Sequence, residues 1–277
     1  MNGSSPLGAS RASPAGSGDG PGDEAGRVRR GFALSYLAML PLIGLYEAAS
    51  NTKAASPRNV AEVILSLPFD TFPNVATQAR WILIAVGALA AAWITFHAEL
   101  NLGARLWRIF LEGFLAAVLL GPCLLLLMHA LGASPGSGAL RLGPPVQVPR
   151  LAEAALVCGG SAYEEIVFRV GMQGLFCLGL RPLLAFLGAG DRWSRRLSDA
   201  LALIFSALTF AAAHLSSFTR ALGPGGENFD ASVFTWRTLA GMFLGGLFLW
   251  RGPGVAAWTH AFFNLALFIG AGPDVFL

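Results

Sequence analysis

The chain has 277 residues, of which 55% are hydrophobic and 13% charged, with a mean hydropathy of +0.60. A soluble globular domain carries about 25% charged residues, so that class is excluded. The net charge of +3 and the pI near 9.1 do not point to nucleic acid, because the arginines stand between apolar segments, where they read as membrane-topology signals.

Residues 1–26 are Gly, Ser, Pro and Ala with scattered charges and no aromatic residue. Such a segment cannot bury enough apolar surface to offset its ordering entropy and is expected to be disordered. Arg27, Arg29 and Arg30 then precede an apolar run over 31–49, read as a first membrane span with its N-terminus in the cytoplasm. Further spans are expected over 80–97 and 106–131, followed by a Gly/Pro-rich loop over 134–149. Together 27–149 form a set of N-terminal transmembrane helices.

Residues 150–190 are apolar for twice the length of one span, with breaks expected near Gly171–Gly174 and at Arg181-Pro182. They read as two helices, or as one span and a partial one. A charged loop over 191–199, a span over 201–218, a span over 234–250 and a last span over 255–270 complete the chain. The fold class is all-α, a polytopic transmembrane bundle of about seven or eight helices. The basic clusters at Arg27–Arg30, Arg105/Arg108 and Arg192–Arg196 share one side only if 150–190 crosses once. No internal repeat of transporter type stands out.

Ionisable groups inside apolar segments are costly and mark function. Glu164 and Glu165 sit in one such segment, His214 in another, and His260 and Asn264 in a third. Glu165 and Arg169 are four residues apart and so share a helix face on which they can pair. Glu164 lies about 100° round the helix and can face a cavity by itself. His260 and Asn264, again four apart, present an imidazole and a carboxamide together. This set suffices to activate water and stabilise an oxyanion. The same Glu and His residues can instead ligate zinc, although no His-Glu-x-x-His sequence demands it. Blander readings stand beside these: a structural ion pair for Glu165–Arg169, packing for Phe210, and no role for His97 and His129. Cys123, Cys158 and Cys177 have no metal-ligand or disulfide spacing and read as small buried hydrophobes.

In order, Glu164-Glu165-x-x-x-Arg169, Phe210-x-x-x-His214 and His260-x-x-x-Asn264 resemble the CAAX protease and bacteriocin-processing (CPBP, or ABI) family. The resemblance covers roughly 160–268 and assigns 150–277 to a catalytic transmembrane region. It implies an intramembrane endopeptidase, with Glu164 activating water helped by His214, and His260 and Asn264 stabilising the oxyanion. Glu165 and Arg169 would support the first motif helix. It leaves the use of a metal open, with zinc on Glu164, His214 and His260 as the secondary arrangement. The expected partners are membrane lipid and a membrane-associated, prenylated or signal-bearing protein, with no nucleic acid. An Ala-, Gly- and Arg-rich, Lys-poor composition suggests a high-GC bacterial source and an inner-membrane location, which fits maturation of secreted or surface-anchored proteins. The competing readings are a non-catalytic binding or immunity protein of the same fold and a proton-coupled transporter.

Overall fold

The computed structural model describes residues 21–50, 59–69, 73–132, 150–220 and 226–270. The loop expected over 134–149 lies outside them, as do residues 1–20. The described residues form ten α-helices and no strand: α1 (Pro21–Ser50), α2 (Val60–Ser66), α3 (Pro73–His97), α4 (Leu102–Ala130), α5 (Arg150–Glu165), α6 (Gly174–Phe186), α7 (Asp191–Ala212), α8 (Ser216–Thr219), α9 (Ala231–Arg251) and α10 (Pro253–Gly270). Five stretches are long and apolar enough to cross a membrane, at 25–50, 78–97, 102–130, 151–186 and 231–251. The protein is an all-α helical membrane bundle.

Its exterior is apolar, and its buried polar groups are gathered inside, among an apolar core. Ile82, Leu89, Trp93 and Phe96 of α3 and Leu119 and Leu126 of α4 point outward. Glu47, Glu62, Glu165, Arg169, Gln173, Ser206, Thr259 and His260 are buried. Burial of polar groups away from a surrounding apolar solvent produces this arrangement.

Three sequence expectations are corrected. First, α1 starts at Pro21, so 21–26, expected to be disordered, are its first turns. Proline suits a helix start because its missing N–H would be unpaired there in any case. Second, the expected breaks near Gly171–Gly174 and at Arg181-Pro182 do not separate two helices. The chain runs helically from α5 through a π-helical stretch, Ile166–Gln173, into α6, with Pro182 inside it. Third, 191–199 is no loop but the opening of α7. Its arginines stand outside while Ser194, Ser198, Ala202, Ser206 and Phe210 form one buried stripe at four-residue intervals. Serine carries this stripe through the charged segment, and an apolar pattern alone does not reveal it.

Contacts fix the relative directions of the helices. Trp258 donates from α10 to the Ala38 carbonyl of α1 at 2.8 Å, Arg251 pairs with Glu112 near the start of α4, and Phe32 meets Phe248 edge-on. The starts of α1, α4 and α10 and the end of α9 thus share one end of the bundle. On α7 and α9, Ala207 faces Gly241 and Leu203 faces Gly245, an antiparallel register, so α7 starts at that same end. The arginine clusters at 27–30, 105/108 and 192–196 therefore lie together, as the single crossing by 150–186 requires. Glycine makes the α7–α9 approach feasible. A Cβ on Gly245 would stand 2.5 Å from Leu203 Cδ1 and 2.7 Å from Gln173 Oε1. Small residues at such spacing let helix backbones meet closely in membranes.

Candidate active site

The antiparallel contact of α5 and α10 brings the first and third motifs together. Ser161, Glu164 and Glu165 line one face of α5, and Asn264 and His260 meet them in reverse order. Asn264 Nδ2 donates to Ser161 Oγ at 3.1 Å, and His260 Nδ1 lies 2.9 Å from Glu165 Oε1. Across the ring, His260 Nε2 is 3.5 Å from Glu164 Oε2. One imidazole is thus held between two adjacent carboxylates.

The two glutamates differ in surroundings. Glu165 is fully buried and sits 3.3 Å from Arg169 Nε. The contact is an ion pair without a hydrogen bond, since neither Glu165 Oε2 nor Arg169 Nε has a hydrogen-bond partner. Arg169 donates its Nη1 to Ser206 Oγ at 3.1 Å, and its guanidinium stacks 5.0 Å from the Phe210 ring centre. Glu164 keeps 13% of its side chain exposed and accepts a 2.7 Å bond from Asn59 Nδ2. The pairing of Glu165 with Arg169 and the separate orientation of Glu164 match the four-residue spacing.

His214 sits differently from its sequence expectation. α7 stops at Ala212, and His214 lies in the turn beyond it rather than inside a span. Its Nδ1 is 2.8 Å from the Phe210 carbonyl. A carbonyl only accepts, so Nδ1 carries the hydrogen and Nε2 of the neutral ring is left as an acceptor. The turn is pinned to a distant strand-like residue: Glu227 N donates to the His214 carbonyl at 2.9 Å and Ser216 N to the Glu227 carbonyl at 2.8 Å. Arg237 of α9 clamps the Glu227 carboxylate with two bonds of 2.6 and 2.7 Å. Phe210, read from sequence as a packing residue, is central: its ring meets those of His214 and His260 edge-on at 5.0 and 5.7 Å.

Glu164, Glu165, Arg169, Phe210 and His260 are therefore one connected group, with Asn264 one turn from His260 and His214 above Phe210. Among the described residues, no three His, Cys, Asp or Glu side chains are grouped so as to hold a metal. His260 Nδ1 is turned to Glu165 and one Glu164 oxygen is held by Asn59, which leaves His260 Nε2 and Glu164 Oε2 as the atoms that would reach a zinc ion.

Sequence reading missed the N-terminal contribution. Tyr163 OH donates to Glu47, Tyr46 OH donates to Glu62 at 2.6 Å, and Arg80 bridges Glu47 and Glu62, with 2.9 Å to Glu47. This buried network joins α1, α2 and α3 to α5, next to the glutamates. Its available signal was Glu47, a carboxylate inside the first apolar run.

Residues 148–266 match the family model described as type II CAAX prenyl endopeptidase Rce1-like, and all three motifs fall within the match. Over this segment, less than half of its length, the chain is similar to Rce1-like endopeptidases. Comparison with curated proteins and with solved structures gives no match. The matched segment begins just before α5 and ends within α10, so it takes in every motif residue of the connected group and leaves Glu47, Asn59, Glu62 and Arg80 outside. The family supports CAAX-type intramembrane protease activity in general.

Proposed function

We propose that the protein is an intramembrane endopeptidase in which Glu164 is the general base. The observation that carries this reading is the position of Glu164, with one oxygen held by Asn59 and the other facing His260 Nε2 at 3.5 Å. Glu165, buried and acceptor-only when ionised, receives His260 Nδ1–H and orients the ring. With Nδ1 held by Glu165, the ring turns Nε2 toward Glu164 Oε2, so the two groups can pass a proton between them. Glu164 withdraws the proton of an attacking water, and the imidazolium of His260 donates Nε2–H to the oxyanion, with Asn264 as second donor. His214, with Nε2 free to accept, assists Glu164. Cleavage then breaks the C–N bond of the peptide, forming a carboxylate and an amine that takes the transferred proton.

The substrate is a membrane-associated protein, prenylated or signal-bearing. The grouped arginines favour a cytoplasmic location for the N-terminal end of α1 and, with the composition, a bacterial inner membrane.

The test compares wild type with Glu164→Gln on fluorogenic peptides in detergent micelles or liposomes. One probe ends in a farnesylated Cys-aliphatic-aliphatic-X sequence, and the others carry a single apolar anchor. Cleavage by wild type and none by the variant supports the reading. Equal cleavage by both removes Glu164 as the base.

A further inference from the structure

We propose that Asn59 is a positioning residue for Glu164, delivered by the N-terminal half of the chain and fixed in orientation by its own helix cap; this rests on the reading of Glu164 as the base. Asn59 is the N-cap of α2, and its Oδ1 accepts the Ala61 N–H at 2.8 Å. The amide oxygen is thereby committed, so the NH2 group must point the other way. It meets Glu164 Oε1 at 2.7 Å, across 105 residues of sequence. The backbone of Asn59 is held as well, its N–H donating to Tyr46 OH at 3.2 Å while that hydroxyl donates to Glu62. α2 is thus anchored to α1 at both ends of its first turn, and the network of Glu47, Glu62 and Arg80 ties it to α3.

The α5 surface is shaped to receive it. A Cβ on Gly160 would lie 2.9 Å from Asn59 Nδ2, and one on Gly159 would lie 2.6 Å from both the Leu42 carbonyl and Tyr46 Cβ. The glycine pair therefore makes room for α1 on one side and for the Asn59 amide on the other. Holding one carboxylate oxygen leaves Oε2 as the oxygen that faces His260, so Asn59 selects which oxygen takes the proton and fixes its direction.

The cap and the contact to Glu164 can be separated, because Ser and Asp also cap helices well. Asn59→Ser keeps the cap and removes the donor. Asn59→Asp keeps the cap and sets a carboxylate against Glu164. Each is compared with wild type and Glu164→Gln for kcat and KM on the farnesylated peptide and for the unfolding midpoint in micelles. Loss of a hydrogen bond to a charged group predicts a kcat roughly 10- to 100-fold lower for Asn59→Ser, and lower still for Asn59→Asp. KM stays unchanged, and the midpoint falls no further than in Glu164→Gln. Gly160→Ala should lower kcat in the wild-type background but have little further effect beside Asn59→Ser, where the crowded amide is gone.

A wild-type kcat for Asn59→Ser, with Glu164→Gln inactive, overturns the role of Asn59 and leaves Glu164 standing. A kcat loss for Asn59→Ser matched by a large fall in midpoint makes Asn59 merely structural and also overturns it. Cleavage by Glu164→Gln overturns the reading beneath it.

Discussion

Arg169→Met tests the buried pair at the centre of the group. Arg169 and Glu165 are both fully buried, and Arg169 Nη2 has no hydrogen-bond partner. Removing the guanidinium leaves Glu165 with His260 as its partner in a dry interior. Breaking one side of a buried ion pair costs about 3–5 kcal/mol. Removing both charges, in Glu165→Gln with Arg169→Met, leaves no bare ion, and a pair replaced by neutral groups of similar size is close to neutral or even stabilising. The double variant should therefore recover most of the stability lost in Arg169→Met, with a coupling of about 2–3 kcal/mol between the sites. It should nonetheless remain impaired in catalysis, because a neutral amide at 165 does not stabilise a His260 imidazolium. The assay is denaturant unfolding of the micellar protein followed by helical circular dichroism, together with peptide cleavage. An Arg169→Met protein as stable as wild type would refute the reasoning, as would single losses that simply add in the double variant. A double variant with full activity would refute the orienting role of Glu165.

Three other outcomes are expected. Gly245→Val should cost about 1–3 kcal/mol by overpacking against Leu203 and Gln173, read from the unfolding midpoint, whereas Gly246→Val should cost little, because no atom lies within 4 Å of a Cβ there. Arg237→Ala frees the Glu227 clamp and with it the turn that carries His214; cleavage should fall by at least tenfold while stability changes by only about 1 kcal/mol, since the pair is partly exposed. In a background without Cys123, Cys158 and Cys177, cysteines placed at Glu99 and Ala189 should label from one side of the membrane, and one placed at Phe229 from the other; labelling of Ala189 with Phe229 would break the single crossing by 150–186.

Much of the bundle and the site was legible because membrane burial makes each polar residue conspicuous. Helical spacing alone puts Glu165 with Arg169 and His260 with Asn264, and the structure shows the first two as an ion pair and the second two both facing α5. What could not be read is whatever depends on helices meeting. Asn59 precedes a helix of seven residues and is brought to Glu164 only by the packing of α2 on α5. Phe210 has the spacing of any core aromatic; its contact with His214 is local, four positions on, whereas those with Arg169 and His260 arise only where α7 packs on the π-helical stretch. The opening of α7 hid behind its arginines because hydropathy averages over all faces of a helix, whereas burial acts on one. His214 was placed inside a span because its neighbours are apolar. Its departure from the helix is set by the pairing with Glu227, thirteen positions on.

The π-helical stretch Ile166–Gln173 shifts the phase of the rod that carries the glutamates. A run of i→i+5 bonds inside an α-helix has the geometry that a one-residue insertion produces. Ser161, Glu164 and Glu165 before it and Cys177 and Arg181 after it keep separate rotational phases about the same axis, about 100° apart for each residue gained or lost. The latter pair meets α7, with Arg181 Nη2 2.8 Å from the Asp199 carboxylate and Cys177 Sγ facing both that carboxylate and the Ser198 carbonyl. A relative in which this rod is α-helical throughout should therefore align with a single gap between 165 and 174. Its front half would superpose on the glutamate face, and its rear half would be free to follow a different partner.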